Sequence, residues 1–195
     1  MKKGVSFSIA TFFGLGYSKI APGTIGSLAT IPLAYFVINN FGFLGISIAV
    51  FLIFIIGTIA TTEVLRHTPH DPGFVVIDEV AGQLLTFVSV ANYLQENINS
   101  WQIYLAGFIL FRIFDIFKPQ PVRWADRNIE NAWGVMLDDI IAGTYATLIL
   151  YILYVFGFYL YKLKYKKITK KGTSFQNVPF YITFSTRQPD NFAIL

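Results

Sequence analysis

The sequence contains no cysteine. This absence excludes disulfide bonds, thiolate nucleophiles and zinc sites built on cysteine. Charged residues are also scarce, at 13% of the chain against about 25% in typical soluble proteins. Residues 20–62 carry no charged side chain at all. The formal net charge is +4, and the basic residues cluster, which indicates a preference for one membrane leaflet rather than nucleic-acid binding.

What is abundant instead is apolar sequence, at 54% of the chain. A membrane-spanning helix needs about 20 apolar residues, so residues 20–62 are long enough for two, with a turn predicted at 39–42. We therefore predict an all-α, multi-pass membrane helical bundle with about four to five hydrophobic segments. These segments are residues 24–38, 41–61, 79–93, 101–117 and 140–161.

The predicted segments differ in length. The second and fifth are long enough to span a bilayer, whereas the other three are short, which leaves open whether they are tilted, re-entrant or packed inside the bundle. The apolar start of the chain lacks a clear cleavage site, so we expect it to be retained. The membrane domain is predicted to cover residues 1–165, and residues 166–195 are predicted to be a polar, poorly ordered tail.

The polar connections predict the orientation. Residues 14–23, 63–78 and 118–139 hold most of the charges, and with five crossings they fall on one side, where Arg66, Lys118, Arg123 and Arg127 favour the cytoplasm. The basic run at 162–171 would then lie on the opposite side, against the same rule. The number of full crossings is therefore left open by the sequence.

Ionisable residues at membrane depth are costly and by default indicate function. Three acidic clusters meet this description, and alternating helices would bring them to one membrane face: Asp78 with Glu79, Asp115 alone, and Asp138 with Asp139. Carboxylate oxygens are the ligands that Mg²⁺ prefers. The alternative is that these acids begin helices, where the macrodipole stabilises each by about 0.3–1 kcal/mol. That alternative fits Asp115 poorly, because it lies near the end of its segment.

Basic residues accompany Asp115. Arg112 shares a helix face with it, so the two can form a simple ion pair. With Lys118 and Arg123 nearby, Arg112 can equally bind phosphate through its two-pronged guanidinium. In residues 21–32, Thr24 and Ser27 are expected to cap a helix whose free N–H groups could bind an anion, although an ordinary glycine-containing cap is at least as plausible. His67 and His70 could transfer protons or could be surface residues without a role.

Four stretches carry a family resemblance: "APGTIGSLATIP" (21–32), "HDPGFVVIDEVAGQ" (70–83), "FRIFDIFKPQPVRWADR" (111–127) and "GVMLDDIIAG" (134–143). In this order they resemble the phosphatidylglycerophosphatase A family of bacterial membrane enzymes, over about residues 10–160. The resemblance implies a Mg²⁺-dependent phosphomonoesterase of the plasma membrane that converts phosphatidylglycerol phosphate to phosphatidylglycerol in phospholipid biosynthesis. The active site would face the cytoplasm, and the partners would be a phospholipid and the bilayer.

The resemblance also implies roles for individual residues. The implied metal ligands are Asp78, Glu79, Asp115, Asp138 and Asp139, of which Asp115, Asp138 and Asp139 would also be catalytic. Substrate binding would fall to Thr24, Ser27, Arg112, Lys118 and Arg123.

Other phosphatase classes, a phosphatidyltransferase and a transporter fit the sequence less well. Neither a Cys-x5-Arg nor an Asp-x-Asp phosphatase signature is present, and whether an aspartate or water attacks phosphorus is left open. A CDP-alcohol phosphatidyltransferase would need an Asp-Gly…Ala-Arg…Asp array, which we do not find. A transporter would show symmetric broken helices, and the sequence has no internal repeat.

Overall fold

A computed structural model describes residues 2–68, 72–97 and 100–170. Within those ranges the chain is helical without a strand, which confirms the all-α prediction. The helices are α1 (Lys3–Ala10), α2 (Pro22–Leu65), α3 (Ile77–Thr86), α4 (Ala91–Glu96), α5 (Trp101–Phe117), α6 (Val122–Asn128) and α7 (Ala132–Lys170), with 3-10 turns at Leu15–Tyr17 and Val88–Val90. Residues up to Tyr154 form one compact unit, which contains every side-chain contact described below. Of the predicted tail, 166–170 are helical and 171–195 lie outside the described residues.

Helix α2 is a hairpin rather than a rod. A straight helix would hold Gly26 and Gly57 roughly 45 Å apart, yet a side-chain carbon at Gly26 would lie 3.0 Å from Val76, and one at Gly57 would lie 3.2 Å from the adjacent Ile77. The chain reverses at Gly42, whose φ of 59° and ψ of −150° are not helical and are easily adopted by glycine. The predicted turn at 39–42 is therefore confirmed, with limbs at 22–41 and 43–65.

The predicted third segment is a broken helix inside the bundle. Residues 77–96 form α3, a 3-10 turn and α4 in succession. Its apolar side chains are almost fully buried, including Val80, Leu84, Phe87 and Leu94 at 0% exposure. Of the alternatives for this short segment, its burial favours packing between the other helices.

Two helices in the described ranges are long and apolar enough to cross a membrane, namely α2 and residues 132–157 of α7. Large apolar side chains project outward from both, such as Phe51 at 64% and Ile152 at 59% exposure. A bilayer would cover such side chains. A bundle of four to five spans stays a prediction.

Helix α7 begins earlier than the sequence pattern predicted. The side-chain oxygen of Asn131 accepts hydrogen bonds from the backbone N–H groups of Trp133 and Gly134, at 2.9 and 3.3 Å. This is a side-chain N-cap, and it moves the helix start from residue 140 to Ala132. Asp138 and Asp139 therefore lie nearly two turns inside the helix, so the predicted segment 140–161, which put them just before its start, was wrong on this point.

Candidate active site

A cavity of about 360 Å³ opens at the end of the bundle where α3 begins, α5 ends and α7 passes its second turn. Its lining is dominated by acids. Lys118 and one acid that was not predicted, Asp126, contribute to the wall. All five predicted carboxylates contribute as well: Asp78, Glu79, Asp115, Asp138 and Asp139. The expectation that the three acidic clusters meet at one end of the helices agrees with this geometry.

Three of these carboxylates form a compact trio. One oxygen from each of Asp78, Glu79 and Asp139 lies within 4.8 Å of the other two. Asp78 is 8% and Asp139 is 3% exposed, and Glu79 Oε2 is buried without a hydrogen-bond partner. Within the described ranges, no lysine, arginine or histidine forms an ion pair with the trio. Buried like charges without a cation are strongly unfavourable, so the trio fits a hard divalent cation such as Mg²⁺.

The other carboxylates are already paired with cations. Arg112 Nη1 lies 2.5 Å from Asp115 Oδ2. Lys118 Nζ donates to Asp138 Oδ2 at 2.8 Å and also to Asp126. The predicted set of five metal ligands is thus divided by the structure into an unpaired trio and two ion-paired members.

Lys118 is placed by the end of α5. It closes that helix in the left-handed conformation, with φ of 43°, which is uncommon for a residue with a side chain. Burial opposes its charge, but the hydrogen bonds and attraction of Asp126 and Asp138 outweigh burial and raise the pKa of Lys118 above its ordinary value. The ammonium group therefore stays protonated at any pH where an enzyme would work.

Asp126 was not among the predicted site residues. It lies on α6, half-buried, and reaches the cavity through its contact with Lys118. The signal was present, because Asp126 belongs to the same charged stretch, 111–127, as Arg112, Asp115 and Lys118. Spacing alone could not assign it, since α6 is a separate short helix whose orientation the sequence does not give.

The start of α2 lies against the trio. A side-chain carbon at Gly23 would come 2.0 Å from Glu79 Oε1 and 3.3 Å from Arg112 Nη1, so only glycine allows this close approach. Ser27, fully buried, donates to the Gly23 carbonyl at 2.8 Å and accepts from Arg112 Nη1 at 3.3 Å. Arg112 is thereby held between α2 and Asp115, with its Nε buried and without a partner.

The predicted capping role of Thr24 and Ser27 was wrong. Helix α2 begins at Pro22 after Ala21, and no side chain caps it. Pro22 suits the first helical position because its missing N–H would have no partner there, and this early start places both residues inside the helix. Ser27 still reaches the site through Arg112, whereas Thr24 is half-buried and does not line the cavity.

Neither Arg123 nor His67 lines the cavity. Arg123 is exposed and donates to the Phe117 carbonyl at 3.4 Å. The Nδ1 atom of His67 lies 3.0 Å from the Glu63 carbonyl oxygen, and His70 falls outside the described residues.

The alternative that the acids begin helices holds for one cluster. Asp78 and Glu79 do occupy the first turn of α3, so the helix macrodipole contributes to their stability. That explanation does not extend to Asp138 and Asp139.

The chain is similar in sequence to one family of known proteins. The family model for phosphatidylglycerophosphatase A matches residues 8–154. Phosphatidylglycerophosphatase A of Escherichia coli (strain K12) is 40% identical over 144 residues, covering 73% of this chain and 80% of the relative. The protein of the same name in Haemophilus influenzae is 35% identical, over 73% of this chain and 85% of its own. A Bacteroides thetaiotaomicron protein, provisionally named a phosphatidylinositol-3-phosphatase, is 36% identical over 73% of this chain and 89% of its own length. No solved structure matches the chain.

Proposed function

The chain belongs to the phosphatidylglycerophosphatase A family, and on that premise we propose that it removes the terminal phosphate from phosphatidylglycerol phosphate in phospholipid biosynthesis. It is a phosphoric monoester hydrolase like its named relatives. Water supplies the new oxygen on phosphorus and the proton on the released alcohol, while the ester P–O bond breaks. The products are phosphatidylglycerol and inorganic phosphate.

The observation that carries the proposal is the carboxylate trio in a polar cavity. Asp78, Glu79 and Asp139 offer three hard oxygen ligands, and none of them forms an ion pair with a described lysine, arginine or histidine. They would hold Mg²⁺. A bound Mg²⁺ would supply Lewis-acid polarisation of phosphate oxygens and a lowered pKa for a bound water.

The side chains around the trio have separate tasks in this proposal. Arg112 is fixed by Asp115 and Ser27, so its guanidinium can offset phosphate charge without reorganising. Lys118, which lines the cavity, adds a second positive charge and is held by Asp126 and Asp138. Asp115 and Asp138 are the nearest acids outside the trio, and one of them can accept the proton of the attacking water.

Cavity size and lining support a lipid head group as substrate. About 360 Å³ of space lined by charged groups suits a phosphorylated polyol but not acyl chains, which would stay in the bilayer beside the exposed apolar faces of α2 and α7. A second substrate class, a phosphorylated inositol lipid, comes from the name of the Bacteroides relative. It has the same terminal phosphate monoester on a larger polyol.

The test is phosphate release by the purified full-length protein in detergent micelles. Phosphatidylglycerol phosphate and phosphatidylinositol 3-phosphate are supplied separately, each with Mg²⁺ and with a chelator. We expect Mg²⁺-dependent release from phosphatidylglycerol phosphate and at least about tenfold slower release from the inositol lipid, because the site must be complementary to one polyol. Faster release from the inositol lipid would replace the proposed substrate. Undiminished release with the chelator would overturn the metal assignment.

A further inference from the structure

The N-terminal segment, residues 2–20, contains a turn of unusual backbone conformation. Phe12, Phe13 and Gly14 all have positive φ, at 45°, 59° and 93°, which is a region that bulky side chains rarely adopt. Thr11, fully buried, fixes the turn by donating to the Phe7 carbonyl at 2.8 Å and accepting from the Gly14 N–H at 3.0 Å. The surrounding structure therefore holds Phe13 in a costly conformation.

The N-terminal segment displays exposed apolar side chains among lysines. Phe13 and Ile20 are each 79% exposed and Tyr17 is 58% exposed. Lys2, Lys3 and Lys19 are exposed in the same segment, and the first acid in the sequence is Glu63. Aromatic side chains mixed with lysines are typical of segments that lie in the membrane–water interface.

The same segment supports one wall of the acidic cavity. The Ala10 carbonyl accepts a hydrogen bond from the Val76 N–H at 2.9 Å. The rings of Tyr17 and Phe74 lie 5.5 Å apart. Gly73 and Val75 line the cavity, so residues 73–76 contact the N-terminal segment while forming part of the wall.

We propose that residues 2–20 bind the anionic surface of the bilayer, with Phe13, Tyr17 and Ile20 in the interfacial layer and the lysines among lipid phosphates. The segment thereby holds the cavity wall at residues 73–76 at the depth of the lipid head groups. Charge complementarity selects this occupant, because a segment with three lysines and no acid suits an anionic surface. The membrane contact does not depend on the proposed function. Only the effect on lipid hydrolysis rests on it.

The membrane contact can be measured without an activity assay. Since the chain has no cysteine, Phe13→Cys provides a single attachment point for an environment-sensitive dye. The labelled full-length protein is placed in phosphatidylcholine vesicles with and without phosphatidylserine, containing lipids spin-labelled near the head group or deep in the chain. Phe51→Cys, near the middle of the second limb of α2 and 64% exposed, serves as the deep reference, and the same dye coupled to free cysteine in solution serves as the aqueous reference.

We expect the dye at Phe13 to be quenched most by the head-group label, and more strongly when phosphatidylserine is present. Quenching as weak as that of the dye on free cysteine, or a depth equal to that of Phe51, would overturn the proposal. Equal quenching with and without phosphatidylserine would overturn the assignment to an anionic surface.

An activity comparison then tests the consequence for the cavity. Phe13→Ser should slow phosphate release from long-chain substrate in vesicles by about tenfold, as expected for losing the burial of one aromatic side chain. Release from a short-chain, water-soluble analogue should be unchanged. The matched control is Phe43→Ser, which removes a 49% exposed phenylalanine beside Gly42 at the far end of the bundle. Equal loss on both substrates would contradict the proposal, and if neither substrate is hydrolysed by the unmodified protein, the quenching measurement still decides.

Discussion

Two groups of carboxylates share one cavity wall and differ in what balances their charge. Asp115 and Asp138 each lie against a protein cation, at 2.5 and 2.8 Å. Asp78, Glu79 and Asp139 lie against one another instead. All five line the same space at the same end of the bundle. Closeness in the fold therefore does not give these acids a common electrostatic environment, and in the proposed site the acids without an ion pair are the ones free to hold a metal ion.

Removing one member of the trio should have the largest effect. We expect Asp139→Asn to lower phosphate release by about 10³-fold, since a catalytic metal contributes several kcal/mol. Binding of Mn²⁺, measured by electron paramagnetic resonance as a probe for Mg²⁺, should fall with it. Asp115→Asn is the matched control, which should keep Mn²⁺ binding even where turnover drops. Wild-type Mn²⁺ binding by Asp139→Asn would remove this residue from the metal site.

Crowding the trio without changing its charge should have the next largest effect. In Gly23→Ala the new carbon would overlap Glu79 Oε1, so the carboxylate must shift away from its neighbours. Displacements of this kind typically weaken metal binding by about 10–100-fold. Gly4→Ala is the control, because no atom lies within 4 Å of its added carbon. If both variants bind Mn²⁺ like the unmodified protein, the close approach of α2 has no part in metal binding.

Changing the cation of a paired acid should affect substrate rather than metal. Arg112→Lys keeps the charge beside Asp115 but loses the planar fork, and it should lower kcat/KM by tens-fold, as expected for one charged hydrogen bond of roughly 1.5–3 kcal/mol. Mn²⁺ affinity should change little. Unchanged kinetics, or a defect confined to Mn²⁺ binding, would reduce Arg112 to a structural ion pair.

Asp126→Asn should have the smallest effect. Lys118 and Asp126 are 28% and 29% exposed, and ion pairs of this accessibility contribute about 0.2–1 kcal/mol. Because Lys118 keeps Asp138, kcat/KM should fall less than about fivefold by the same measure. A loss as large as that of Asp139→Asn would instead place Asp126 beside the trio in function.

Sequence patterns predicted helices more accurately than their starts. The apolar run at 101–117 coincides with α5, and the turn in the uncharged stretch is found at Gly42. Both follow from local composition. The starts of α2 and α7 depend on Pro22 and on the cap from Asn131, and these signals are weaker than hydropathy. A cap at Asn131 was not distinguishable from other polar residues in a connection rich in them.

The candidate site was predicted as a set of residues but not as an arrangement. The five carboxylates were predicted because acids at membrane depth are costly. The alternation of the helices predicted that they would meet at one end of the bundle. Their division into a trio and two ion pairs depends on where Arg112 and Lys118 reach, since Lys118 bridges acids from α6 and α7. Such contacts join residues far apart in sequence, and helical spacing carries no information about them.

The composition of the trio also sets an order of events during synthesis. Asp78 and Glu79 emerge from the ribosome with α3, while Asp139 arrives only with α7. Chains are made from the N-terminus at roughly 5–20 residues per second, so for several seconds the first two acids occupy a growing bundle without the third member of the trio. If the trio holds a divalent ion as proposed, its complete set of ligands exists only after α7 has been made. Metal binding would then be the last step of assembly, and a nascent chain halted before residue 132 should reach the bilayer without binding Mn²⁺.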